Sequence, residues 1–216
     1  PPLPPTRSSR FCRRASSFDG VSYAGQLLVA TPLIGDPHFE RSVVMILAHG
    51  EDGTFGVIVN RPTDSGVEEV VPQWRSHVTA PGVIFMGGPV AVDVVTGIGR
   101  PIDESVPGYA PLVGGVGTVD LGSPPPEDAT RWAGLRLFAG SAGWAAGQLE
   151  DELVDGAWYV VESEPGDVSS PSPERRPWPG CLARSLFRRT CLCLPVPEEQ
   201  GFRRIRRPRR EEWPSP

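Results

Sequence analysis

The sequence predicts an α+β fold with a mixed sheet, held in a single domain with a tail at each end. Three observations carry that prediction. Gly25–Pro62 (GQLLVATPLIGDPHFERSVVMILAHGEDGTFGVIVNRP) holds three apolar runs separated by two polar corners, the pattern of a strand followed by a hairpin. Strand-like runs outnumber helical ones through the middle of the chain, and several are joined by corners too short for a parallel crossover. Charge also divides the chain: residues 20–168 hold 6 Arg against 20 acids and no Cys, while both flanks are basic and hold all four cysteines.

Gln26–Thr31 is aliphatic and stops at Pro32, which has no N–H for a ladder. Gly35-Asp36-Pro37 makes a corner. Arg41–His49 (RSVVMILAH) is almost unbroken apolar residue with adjacent valines, which suits a strand covered on both faces. Glu51-Asp52-Gly53 supplies a turn and Phe55–Asn60 the returning strand, which puts a hairpin at the centre of the sheet. After a polar corner at Thr63–Gly66, Val67, Val70, Val71 and Trp74 recur at helical spacing. Asp64 or Ser65 is the expected N-cap, and Pro72 shortens or kinks the helix. Val83–Met86 is a compact strand running into Gly87-Gly88-Pro89, and the valine-rich Val90–Ile98 is another.

Arg100–Gly115, with Pro101, Pro107, Pro111 and paired glycine, reads as a loop, and Thr118–Leu121 as a brief strand. Ser123-Pro-Pro-Pro-Glu127 has the cap, early prolines and acid of a helix entry. Leu135–Phe138 is a strand. Gly140–Gly147 then reads as a glycine-rich turn opening a helix over Gln148–Val154, with Gly156 in the C-capping place and Trp158–Glu162 as the closing strand.

The flanks differ in kind. Residues 1–19 have no periodicity, and residues 169–216 carry 11 Arg and 9 Pro with neither a helical stripe nor alternation. Both read as disordered. The expected organisation is therefore an N-terminal extension over 1–19, a domain over 20–168 and an Arg/Pro-rich tail over 169–216. The chain opens on Pro and its first Met is Met45, so its first residue is not expected to be a natural start.

Composition excludes several functions. A domain of net charge −14 repels phosphate backbones, so nucleic acid is not an expected partner of the core. A core without Cys needs no oxidising compartment, and Cys191-Leu192-Cys193 is too closely spaced for a zinc knuckle. No run approaches 18 apolar residues, and no apolar segment precedes a cleavage site, so neither a membrane span nor a secretory signal is expected. The expected location is the cytoplasm. His38, His49 and His77 show no metal-binding spacing, and no metal or cofactor is expected.

Phosphate-loop and nucleophile-elbow patterns are both absent around Gly140–Gly147, and Glu150, Asp151 and Glu152 just beyond would repel a phosphate. The richest polar cluster is Asp36-Pro37-His38-Phe39-Glu40-Arg41. There Asp36 and Arg41 can close the corner as an ion pair, or Arg41 with His38 can hold a small anion or carbonyl. Asn60-Arg61-Pro62 ends a strand; Asn60 suits a structural corner, and Arg61 can project into a cleft. Gly87, Gly88, Trp144 and Gln148 complete the ligand-binding candidates, and no residue is assigned a catalytic role. Trp74, Trp132, Trp144 and Trp158 read as packing residues.

Five ordered blocks resemble the YqgE/AlgH family of bacterial proteins: Gly25–Ala30, Asp36–Val44, Gly56–Pro62, Phe85–Val90 and Phe138–Glu152, the last continuing into Gly156-Ala157-Trp158. The resemblance spans Tyr23 to Val168. It implies a bifurcated, partly barrel-like sheet surrounded by helices in a cytosolic protein, with no established catalytic activity and no active-site residues to carry over. Some members bear the label of transcriptional regulator. Pro72 interrupts a helix that the family continues. Near Ser169–Arg176 the family pattern gives way to Arg, Pro and Cys, which reads as a slip of reading frame.

The function expected first is a non-catalytic regulatory or interaction module that binds a protein partner or small ligand. The alternatives are an enzyme or ligand binder with a cleft near Asp36, Arg41 and Asn60, and, on the family label alone, a transcriptional regulator.

Overall fold

The computed structural model describes residues 22–164 and 166–170. The N-terminal extension, the four cysteines, the proposed frame slip and all but the first two residues of the 169–216 tail lie outside the described residues.

Ten strands and two short helices follow in the order β1 (Gln26–Ala30), β2 (Val43–Gly50), β3 (Gly53–Ile58), β4 (Pro62–Gly66), α1 (Val67–Val70), β5 (Val83–Met86), β6 (Val90–Pro101), β7 (Tyr109–Val113), β8 (Val116–Val119), β9 (Trp132–Trp144), α2 (Gln148–Val154) and β10 (Trp158–Glu162). Single 3₁₀ segments occupy Pro72–His77 and Ala129–Arg131. The main hydrogen-bonded path runs β10-β1-β2-β3-β9-β6-β8-β7, with the β2–β3 hairpin well inside it.

The thirteen-residue β9 organises the rest. Along one edge it meets β3 through Phe55 opposite Gly143, and further back it meets β5 in parallel through Phe85 opposite Phe138. Its other edge carries β6 antiparallel, from Val90 opposite Ser141 to Pro101 opposite Trp132. One parallel pairing among antiparallel ones makes the sheet mixed. β4 pairs only with β5, so that wing stands off the main path.

Unbroken apolar runs make sense here because the central strands bury both faces. Leu27, Val29, Val43, Met45, Phe85, Phe138 and Val161 pack on one side. Leu28, Ala30, Val44, Ile46, Trp144, Leu149 and Trp158 pack on the other. A third cluster joins Val67, Trp74, Trp132, Leu135 and Leu137 beneath α1. All four tryptophans named above are buried packing residues.

Mostly β-sheet with few helices, the fold keeps the mixed sheet of the expected α+β class, and the sheet does not close. Helices do not surround it among the described residues, since α1 has four residues and α2 seven. Pro72 explains the first: the α-helix stops before it and the chain continues as the 3₁₀ segment with Pro72 at its start. Neither Asp64 nor Ser65 caps α1. Both belong to β4, and Gly66 takes the capping position without a side-chain bond.

Three other expectations are corrected. Tyr109–Val113 is a strand within the expected loop, its Pro111 tolerated because β7 lies at the edge of the sheet. Ser123–Glu127 opens no helix, since Ser123, Pro124 and Pro125 each precede a proline and are pushed from helical to extended backbone. The nearby turn instead starts at Asp128, whose carboxylate accepts the Thr130 N–H at 2.8 Å. Gly140–Trp144 continues β9, and only residues 145–147 form the turn before α2. At Gly140 (φ +74°) a side chain would strike the Gly88 carbonyl, so this glycine serves a close strand crossing.

No helix among the described residues is long and apolar enough to cross a membrane.

Candidate functional site

The Asp36–Arg41 corner connects β1 to β2 and is exposed except at Phe39. Asp36 folds it from within: its carboxylate accepts the His38 backbone N–H at 2.8 Å and lies 2.9 Å from His38 Nδ1. The backbone bond from His38, its ring and the Arg61 charge together hold the Asp36 carboxyl below the usual carboxylate range, against a smaller opposing effect of burial. Phe39 N–H returns to the Asp36 carbonyl, and Ser42 N–H to that of Phe39.

Asn60 and Arg61 fix the corner from the end of the hairpin. Asn60 Oδ1 accepts the Val43 N–H at 2.9 Å, and its Nδ2 donates to the Arg41 carbonyl at 3.0 Å. Arg41 itself sits at φ +56°, a conformation that a side chain other than glycine adopts when its surroundings dictate it. The Arg61 guanidinium donates through Nη1 to the His38 carbonyl at 2.6 Å and through Nη2 to that of Glu40 at 2.8 Å. Asn60 and Arg61 thus reach the corner from the hairpin's end, and the Asp36 carboxylate pairs with His38. The contacts made by Asn60 and Arg61 are structural, because their polar atoms hold backbone in place.

Phe39 is the corner's inward anchor. Its ring stacks on Trp144 at 5.9 Å and meets the edge of Trp158 at 5.5 Å. Both indoles donate to Glu152 Oε2, at 2.9 Å from Trp144 and 2.7 Å from Trp158. Gln148 donates its amide to Glu152 Oε1 at 2.9 Å, and its own oxygen accepts the Ala145 N–H at 3.1 Å. Through Phe39, the corner is coupled to α2 and β10.

Gly87 adjoins the same region from the other side. Its carbonyl accepts the Ile58 N–H at 2.8 Å, while Met86 N–H donates to the Arg61 carbonyl at 2.8 Å. At Gly88 (φ +151°) a side chain would strike the Ser141 backbone. The glycine pair therefore lets the β5–β6 corner cross β9 at close range.

Sequence reasoning missed Phe39 and Glu152 as the hub of this network. The i, i+4 spacing of Gln148 and Glu152 on a predicted helix, with tryptophans on either side, was the available signal. It also missed a cross-strand pair: His49 Nδ1 lies 2.7 Å from Thr54 Oγ1, and His49 Nε2 lies 3.3 Å from Glu150 Oε1. Tyr23 meets the same histidine edge-on at 5.0 Å, and its hydroxyl pKa is raised by burial and by the Glu150 charge. A hairpin turning at Glu51-Asp52 brings positions 49 and 54 opposite each other.

His77 is occupied elsewhere, 2.8 Å from the Pro126 carbonyl. Among the described residues no group of three or more His, Cys, Asp or Glu side chains is arranged to hold a metal. The assembled region offers an exposed corner bearing both charges and a half-buried aromatic root.

An AlgH-like family model matches residues 27–186. The chain is 52% identical over 173 residues to a UPF0301 protein of Streptomyces avermitilis, covering 78% of this chain and 86% of the relative. It is 45% identical to a UPF0301 protein of Thermobifida fusca, covering 77% and 89%. Among solved structures it is similar to a protein of Corynebacterium diphtheriae, with a TM-score of 0.65 at 35% identity, covering 74% of this chain and 90% of that one. It is also similar to the AlgH protein of Pseudomonas aeruginosa, with a TM-score of 0.57 at 26% identity, covering 78% and 94%.

Proposed function

The chain belongs to the AlgH-like family, and from that premise we propose that it is a non-catalytic cytoplasmic binding module whose docking element is the Asp36–Arg41 corner. One observation carries the reading. The converging polar side chains of Asn60 and Arg61 are engaged in fixing the corner's backbone, while Asp36, His38, Glu40 and Arg41 stand exposed along its rim. A catalytic centre needs a nucleophile or general base aimed at a substrate. A recognition loop needs a fixed backbone and an accessible rim, which limits the entropy lost on binding. The corner has the second set of properties.

The curled sheet, partly barrel-like, serves in this reading as the rigid body behind the corner. The acidic core supports a protein or small-molecule partner over a nucleic acid.

The experiment is affinity capture with the full chain, scored for proteins and for metabolites, beside the double variant His38→Ala, Glu40→Ala. Both side chains project from the rim, and their backbone bonds to Arg61 survive the change. A ligand held by the wild type and lost by the variant is the expected result. Turnover of a compound from a general substrate panel, abolished by the same variant, would favour the enzymatic reading instead.

A further inference from the structure

Arg136 on β9 is 1% exposed and carries its charge into the interior. Its guanidinium carbon stands 4.1 Å above the centre of the Phe85 ring. Nη1 donates to the Val168 carbonyl at 3.0 Å; Nη2 donates to those of Ser170 at 2.7 Å and Ala80 at 3.2 Å. Nε is buried and has no hydrogen-bond partner among the described residues. No carboxylate among the described residues pairs with this cation, and burial pulls its pKa down to about 10.

That arrangement is unusual for arginine. The Nε–H and one Nη2–H lie along the same edge of the guanidinium plane, the edge that receives a carboxylate with two parallel bonds. Here Nη2 donates to two neutral carbonyl oxygens, and Nε beside it has no acceptor among the described residues. The occupant is the chain itself: residues 166–170 lie outside the strands and cross Arg136, with Val168 inserted among Leu27, Phe85, Ile98 and Phe138. This segment presents an aliphatic side chain and backbone oxygens to the guanidinium, which is the outline of an aliphatic acid short of its charge.

We infer that Arg136 is a carboxylate-receiving site, occupied in this structure by the 166–170 strap as a neutral stand-in and open to an aliphatic monocarboxylate that displaces it. The acid's two oxygens take the Nε and Nη2 hydrogens, and its alkyl stem takes the space of Val168. Binding thereby supplies the counter-charge that no described carboxylate provides and releases the strap. This site lies apart from the Asp36–Arg41 corner and does not depend on the reading given to it.

Octanoate is the probe, and octanamide, equal in shape but uncharged, is its control. Both are titrated into the full chain while the Arg136 Nε–H resonance is followed by NMR and cleavage of the strap by limited proteolysis. The expected result is a saturable shift of that resonance and faster cleavage between residues 164 and 170 with octanoate, with octanamide at least about tenfold weaker. Arg136→Met is expected to abolish the preference for the acid, and Arg136→Lys to weaken it. Equal binding of octanoate and octanamide overturns the proposal, as does a preference that survives in Arg136→Met. Should the methionine variant not fold, an Nε–H resonance in the wild type unmoved by saturating octanoate overturns it equally.

Discussion

Glu152 accepts the Trp158 indole N–H at 2.7 Å through the same oxygen that accepts from Trp144. One carboxylate on a seven-residue helix therefore satisfies two donors of the core, and holds the aromatic floor on which Phe39 rests. Removing it leaves two largely buried donors without an acceptor. Glu152→Ala is expected to lower stability by about 2–4 kcal/mol in urea denaturation, and Glu152→Gln, which keeps an oxygen, by about 1 kcal/mol. Equal losses in the two variants would show that the indoles find water instead.

Asn60 holds the entry of β2 with both ends of its amide. Its oxygen serves the N–H of Val43, a fully buried residue, and its nitrogen serves the carbonyl of Arg41. Asn60→Ala is expected to cost about 2–3 kcal/mol and to speed exchange of the Val43 amide well above its neighbours in β2. Asn60→Asp keeps the acceptor and loses the donor, so it should protect Val43 while loosening Arg41.

Acid tests the corner separately. Because the Asp36 carboxyl has a lower pKa folded than unfolded, its contribution is complete above the ordinary carboxylate value of about 4 and fades as pH falls through the depressed one. Asp36→Asn should lower stability at neutral pH and converge with the wild type below the depressed value, which flattens the acid limb of the profile. An NMR titration of the aspartate carboxyls separates the causes: His38→Ala removes the ring's share and should move Asp36 only part of the way back, because the backbone N–H that contributes most is kept.

Gly88→Ala forces a methyl group against the Ser141 backbone, where neither side can yield without moving a strand. The expected loss is about 3 kcal/mol or more, or failure to fold, judged by thermal melting. A neutral result would place the β5–β6 corner farther from β9 than described.

The sequence announced the parts governed by neighbours along the chain. The valine-rich run through Val43–Leu47, the Glu51-Asp52-Gly53 turn and the α2 segment between Gly147 and Gly156 each carry their own local instruction. What it concealed depends on contacts far apart. Gly140 and Gly143 look like a turn until β6 and the Gly87-Gly88 crossing are set beside them. Pro111 looks like a strand breaker until β7 is seen at an edge. Glu152 reads as one acid among several until two indoles from different strands converge on it. Arg136 sits between Leu135 and Leu137 in an apolar strand, and only the return of Val168 and Ser170 shows why a charge is tolerated there.

The register of β9 and β1 bears on how the chain assembles. Phe55 must find Gly143, and Leu27 must find Val161, so the ladders that complete the sheet join residues separated by most of the described sequence. Few of these pairings can form while the polypeptide is still emerging, and loop closure must precede the reward. The aliphatic faces of Gln26–Ala30 and Val43–Gly50 therefore stay partly uncovered until β9 and β10 are made, and refolding followed by stopped-flow fluorescence is expected to be slow for a chain of this size.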